Sequence, residues 1–228
     1  MEERVNAANV CMMIEKLNKK ILKWWKNLPD LFKSNLPTFI HELIEVKILF
    51  VGLNPGGRNY PAQPIPNISD EKINDIIDKE KVAIFGVGEK RIGQYKRYYG
   101  WLSNISDKLE IQYEHYDLFH MSYSPSREVL KEIFEENSKI NLKKKHSEHL
   151  SIFKQVLNIV KPKVVITNNV NTANILKSYL KLKFDHETGL YKDKKGRFFY
   201  LNGIMSYGRQ TEYDNERLIW LIKDVLYE

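Results

Sequence analysis

Residues 46–57 read Val-Lys-Ile-Leu-Phe-Val-Gly-Leu-Asn-Pro-Gly-Gly, an apolar run that breaks at once into turn-forming residues. Gly52, Gly56 and Gly57 allow backbone to approach a ligand closely, Pro55 stiffens the turn, and Asn54 presents an amide. An amide has no useful basicity near neutral pH. It can hold a water and support developing charge, but it is not a strong general base. The loop is neither a phosphate-binding P-loop nor a dinucleotide fingerprint, and Gly86-Val-Gly88 lacks the third glycine of the latter. No Gly-x-Ser-x-Gly hydrolase elbow is present.

Other chemistry-bearing groups are sparser. His146-x-x-His149, with Glu148, offers two imidazoles one helical turn apart but no third ligand, so a solvated helix face without metal is expected. Lys143 to Lys145 is read as a solvated basic face. Lys96 and Arg97 lie among Tyr95, Tyr98, Tyr99 and Trp101, a mixture used by single-strand-binding grooves and equally by amphipathic helices. A lone cysteine, Cys11, excludes an internal disulfide, a four-cysteine zinc site and a four-cysteine iron–sulfur cluster. Lys+Arg 36 against Asp+Glu 29 gives +7. That sign suits a polyanionic partner, and also a merely soluble lysine-rich surface.

These groups need a scaffold. The 228 residues suffice for one large domain with an extension. Apolar runs predict strands near 46–52, 116–121, 163–167 and 198–205, with helical spacing between them. Alternation of strand and helix predicts an α/β fold: a three-layer α/β/α sandwich around a mostly parallel four-stranded sheet. Residues 1–44 are expected to be a helical extension packed on a main domain spanning 45–228. Ligands of such folds bind beyond the carboxyl ends of the strands, which points to the loops 53–60, 120–127, 168–171 and 205–213. The N-terminus carries Glu2, Glu3 and Arg4 and no apolar h-region, and no apolar stretch reaches the ~20 residues of a membrane span. A cytoplasmic monomer without cofactor or membrane partner is expected.

Gly52-Leu-Asn-Pro-Gly56 after a buried strand resembles the first motif of the uracil-DNA glycosylase superfamily, closest to its mismatch-specific and single-strand-selective branches. Tyr98-Tyr-Gly-Trp-Leu-Ser-Asn-Ile105, Lys161-Pro-Lys-Val-Val-Ile-Thr167 and Ser206-Tyr-Gly-Arg-Gln-Thr-Glu-Tyr-Asp-Asn-Glu-Arg-Leu218 follow in that superfamily's order. The resemblance covers roughly residues 45–228. It implies hydrolysis of the N-glycosidic bond of a flipped deaminated or modified base in DNA; a non-catalytic base-binding module of the same fold is the alternative. Asn54 would hold the attacking water, with Gly52, Leu53, Pro55 and Gly56 lining the pocket. Phe85, Tyr99 or Phe119 would stack on the base. Ser122 stands where many members carry an Asn that reads the uracil edge. Met205-Ser206-Tyr207 stand where many carry His-Pro-Ser, which leaves Ser206 and Arg209 to stabilise the leaving base. Arg58, Lys90, Arg91, Tyr207 and Arg209 would meet DNA.

Overall fold

Residues 2–54, 68–85, 94–122, 126–138, 140–203 and 211–227 are described by a computed structural model. In chain order the elements are α1 (Glu2–Lys26), β1 (Ile48–Gly52), α2 (Asp70–Phe85), α3 (Gln94–Leu109), β2 (Tyr113–Asp117), α4 (Ser126–Ile133) and α5 (Ser147–Val160). They continue with β3 (Val164–Thr167), α6 (Val170–Tyr179), β4 (Lys183–Phe184), β5 (Tyr191–Lys192), β6 (Phe198–Leu201) and α7 (Glu212–Tyr227). The strands form one sheet in the order β2-β1-β3-β6-β5-β4. The first four are mutually parallel, whereas β5 and β4 are antiparallel.

The fold is therefore α/β with a mostly parallel sheet, but the sheet has six strands, not the expected four. The extra pair is a hairpin of two-residue strands, with Lys183 and Phe184 exposed, and such short strands carry no apolar run to signal them. β2 also begins and ends earlier than predicted, at 113–117. Its sequence Tyr-Glu-His-Tyr-Asp is polar on paper, yet every residue of it is buried.

The alternation of side chains in a strand explains the two packed faces. Leu49, Val51, Val165 and Phe199 join one core with Leu17, Ile21 and Trp25 of α1 and Phe153, Val156 and Val160 of α5. Ile48, Phe50, Val164 and Ile166 join the other with Leu102 and Ile105 of α3 and Leu218, Ile222 and Val225 of α7. Each such fully buried side chain contributes roughly 1.5–3 kcal/mol. Lys161, in the left-handed conformation at φ 47°, ends α5 ahead of Pro162. No helix among the described residues is long and apolar enough to cross a membrane.

β2 is an edge strand, and an extended strap (35–47) covers its outer side. Thr38 N donates to His120 O at 3.2 Å. His41 Nε2 donates to Glu114 Oε2 at 2.9 Å, and Ile44 N donates to Glu114 Oε1 at 3.2 Å. Asn18 of α1 clasps the Ile40 backbone in both directions at 2.8 Å. An edge strand left open would pair with other chains; here the strap is fastened beside it through the Glu114 side chain and the His120 carbonyl.

Under α1 lies a group of buried imidazoles, so the expectation of a solvated face at His146 and His149 is corrected. Both are fully buried. Trp24 Nε1 donates to His146 Nδ1 at 3.3 Å, and His146 Nε2 donates to Glu132 O at 3.0 Å. His149 packs on Trp24 and His120, with ring centroids 4.1 and 5.5 Å away, and neither of its nitrogens has a hydrogen-bond partner. Burial lowers His115 and His120 to about 3, His146 to about 4, and His149 well below the ordinary imidazole value.

The sign follows from linkage. Each of these imidazoles is neutral in the fold and charges on unfolding once the pH is below the unfolded value of about 6.5, so stability falls as pH drops from there. The slope is about 1.4 kcal/mol per pH unit for each proton taken up. Asp117, raised by burial, works in the opposite direction but is one group against four. We expect the urea midpoint to fall steadily from about pH 7 to pH 5, and His149→Phe to make that fall shallower. An unchanged midpoint over this range would show that these rings are hydrated.

Candidate functional site

The registers bring the carboxyl ends of the parallel strands level. Gly52 pairs with Asp117, and Val51 with Thr167, whose own partner is Leu201. β1 lies between β2 and β3, so the chain leaves it toward one side and returns on the other. This is a topological switch point, where α/β sheets open a crevice for ligands.

From β1 come Gly52, Leu53 and Asn54. Gly52 is needed for space. A Cβ there would lie 2.0 Å from Asp117 Oδ1 and 3.4 Å from Asn168 Oδ1, so those two polar side chains close over the glycine. The carbonyls of Gly52 and Leu53 accept from Leu118 N at 3.0 Å and Phe119 N at 2.8 Å, which carries the pairing of β1 and β2 into the loops. Leu53 itself is buried in the α1/α5 core. Asn54 is half-buried, and its Nδ2 donates to Met121 O at 3.1 Å, tying the amide to the loop after β2.

β2 supplies a group that the sequence reading missed. Asp117 is buried, its carboxyl is 3.9 Å from His115 Nε2, and it takes no hydrogen bond among the described residues. Burial without a compensating partner pushes it up to about 7. Tyr99 of α3 packs edge-on against His115, ring centroids 5.1 Å apart, on the same face of the sheet. From β3 and β6 come further amides. Asn168 is buried beside Gly52, and Asn169 caps α6 by accepting from Asn171 N at 2.8 Å and Thr172 N at 3.4 Å. Asn202 N donates to Thr167 Oγ1 at 2.9 Å, while its Nδ2 is buried without a partner.

Comparison with known proteins finds no matching family model and no matching curated protein. The reading of the site rests on its own geometry and on the motifs described above.

Of the residues singled out in the sequence, Gly52 meets two that were not, Asp117 and Asn168; Asn54 is held to Met121, Tyr99 packs on His115, and Asn202 is held to Thr167. Phe119 lies elsewhere: it is fully buried on the opposite face, its ring centroid 5.4 Å from that of His149. Ser122 is half-buried in the loop after β2, beyond Met121. Pro55, Gly56, Arg58, Lys90, Arg91, Ser206, Tyr207 and Arg209 lie outside the described residues, as do the side chains of Phe85, Lys96 and Arg97. The basic cluster is a solvated face, with Lys144 and Lys145 exposed and Lys143 half-buried. Lys143 Nζ donates to Lys131 O at 2.7 Å and Lys145 pairs with Glu132. Among the described residues, no three metal-ligating side chains converge.

Asp117 was legible only with the strand boundary in hand. Placed inside a strand at 116–121 it reads as one polar residue among apolar ones; placed last in β2 it is a carboxyl at the sheet edge. Asn168 and Asn202 follow the same rule, each being the first residue after its strand.

The contact between Gly52 and Asp117 yields a double-mutant cycle. Gly52→Ala should cost about 1–3 kcal/mol, the usual price of overpacking a close contact. In an Asp117→Ala background the same change should cost clearly less, because the obstructing oxygen is gone. Urea denaturation of the four proteins checks this, and strictly additive losses would mean the two positions do not touch.

Proposed function

We propose that this protein is a DNA glycosylase that hydrolyses the N-glycosidic bond of a flipped, deaminated or modified base. On this reading it works in the cytoplasm as a monomer on a three-layer α/β/α scaffold, without a cofactor. The observation that carries the reading is the Asn54 amide, tethered through Nδ2 to Met121 O at the carboxyl end of a strand paired on both sides. The resemblance of residues 52–56 to the first motif of the uracil-DNA glycosylase superfamily gives that amide its role.

The chemistry suits a site built largely of amides. As the base departs, positive charge grows on the sugar and negative charge on the base. The oxygen of water bonds to C1′ while the C1′–N bond breaks, its electron pair leaves with the base, and the proton lost by the water ends on that base. Fixed dipoles and a held water lower this barrier because they act mainly in the transition state. Tyr99 packs on His115 on the face of the sheet that carries Gly52 and Asp117, whereas Phe119 is buried in the opposite core, which favours Tyr99 over Phe119 as the surface on which a base would stack.

The test is a base-release screen on oligonucleotides bearing uracil, hypoxanthine, xanthine, hydroxymethyluracil or glucosylated bases. Release from at least one is expected. Asn54→Ala should slow single-turnover release by about 10²–10³-fold with DNA binding nearly unchanged, the usual cost of one transition-state dipole. Wild-type release by that variant would overturn the mechanism. DNA binding without release of any base would favour the non-catalytic module.

The charge of +7 makes a separate statement. Log affinity for DNA should fall linearly with log salt, by about 0.9 per phosphate contact on duplex and about 0.7 on single strands. A salt-independent affinity in a filter-binding or anisotropy titration would remove DNA as the partner.

A further inference from the structure

Three observations meet at Asp117. Its Oδ1 fills the volume that a Cβ on Gly52 would take, so the carboxyl is held against the root of the loop bearing Asn54. The Asn168 amide oxygen borders the same volume. The carboxyl is buried yet takes no hydrogen bond among the described residues, although buried polar groups are normally paired. A buried carboxyl with no hydrogen bond among the described residues, beside a topological switch point, is a place where a ligand can supply a partner.

The ionisable groups around it come from several elements. His115 and Tyr116 lie on its own strand. His41 and His120 share with it a small cavity between β2 and the strap. Tyr99 of α3 stands behind His115. Gly52 at the end of β1 lies against it, and Asn168, just after β3, borders the same volume. No Lys or Arg side chain among the described residues comes within ion-pair distance, and His115 and His120 are neutral at physiological pH. Among the described residues, no lysine or arginine thus offsets the cost of a buried negative charge.

We propose that Asp117 is a ligand-reading group that works as a neutral acid, offering one O–H donor and one carbonyl acceptor side by side to the planar edge of a nucleobase. Nucleobases present the complement: an amide edge, carbonyl beside N–H, or an amidine edge, ring nitrogen beside an amino group. The ionised carboxylate has two acceptors and no donor, so it meets only half of such an edge and repels a ring carbonyl. A carboxyl kept neutral by an apolar site so that it can donate is an established device in proteins. The inference rests on the nucleobase recognition proposed above but not on bond cleavage.

The sign is fixed by the protonated form being the binding form. With Asp117 held up to about 7 by burial, affinity is full below that pH and falls about tenfold per unit above it. Asparagine has the shape of the neutral acid and keeps one donor and one acceptor, but it cannot ionise.

The experiment is calorimetric titration of the full chain with free uracil, hypoxanthine, cytosine and adenine between about pH 6 and about pH 8.5, where these bases stay largely uncharged. At least one base should bind, about tenfold more weakly for each pH unit above 7. Asp117→Asn should bind the same base with a flat pH profile. Asp117→Ala should bind at least about tenfold more weakly at pH 6, with circular dichroism showing both variants folded. The inference is overturned if no base binds, if the wild-type profile is flat, or if Asp117→Asn loses binding as Asp117→Ala does. Pairing these titrations with the oligonucleotide screen separates the two readings. Proton-linked base binding without base release upholds Asp117 and removes the glycosylase. Base release with a pH-independent affinity does the reverse.

Discussion

β1 is paired with β2 from Ile48 to Gly52 and with β3 from Ile48 to Val51, and both its faces are buried. A strand so enclosed has no freedom of register, because a slip of one residue would exchange the side chains of two different cores. Gly52 ends this strand, and its position fixes the level at which the neighbouring chains turn out of the sheet. The carbonyls of Gly52 and Leu53 hold the first residues after β2, and Val51 O accepts from Asn168 N at 3.1 Å after β3. The site is thus positioned by backbone bonds from the most constrained strand, and its side chains inherit that precision.

Two kinds of polar burial coexist in the molecule. Glu114 is buried with both carboxylate oxygens satisfied, one by His41 and one by Ile44 N, and this arrangement closes the sheet edge. Asp117, only a few residues along the same strand, is buried with neither oxygen hydrogen-bonded among the described residues. The first pattern is structural accounting completed; the second is left open. Contrast between neighbours on one strand separates a fold-holding carboxyl from a ligand-facing one more sharply than either observation alone.

Much of this was readable from the residues. The four parallel strands, the end of β1 at Gly52 and the stop of α5 at Pro162 all follow from apolar runs and turn chemistry, which are local signals. What was not readable depended on partners far away in sequence. Tyr-Glu-His-Tyr-Asp does not look like a buried strand until the strap supplies His41 and the α3/α7 core surrounds Tyr113. His146 and His149 look solvated beside three lysines until Trp24 covers them. The hairpin at 183–192 is too short to have a pattern. Asp117 was hidden by the misplaced end of β2, not by its chemistry.

The packing of α1 has a consequence for how the chain is made. Trp24 reaches its partner His146 across 122 residues of sequence. At a synthesis rate of 5–20 residues per second, Trp24 is polymerised roughly 6–24 s before the ring it covers. During that interval Ile14, Leu17, Ile21, Trp24 and Trp25, which end in the core, lack the α5 residues Phe153, Val156 and Val160 that share it. The nascent chain therefore carries an apolar stripe whose cover is incomplete until α5 arrives, and that interval is when a holdase would have most to bind.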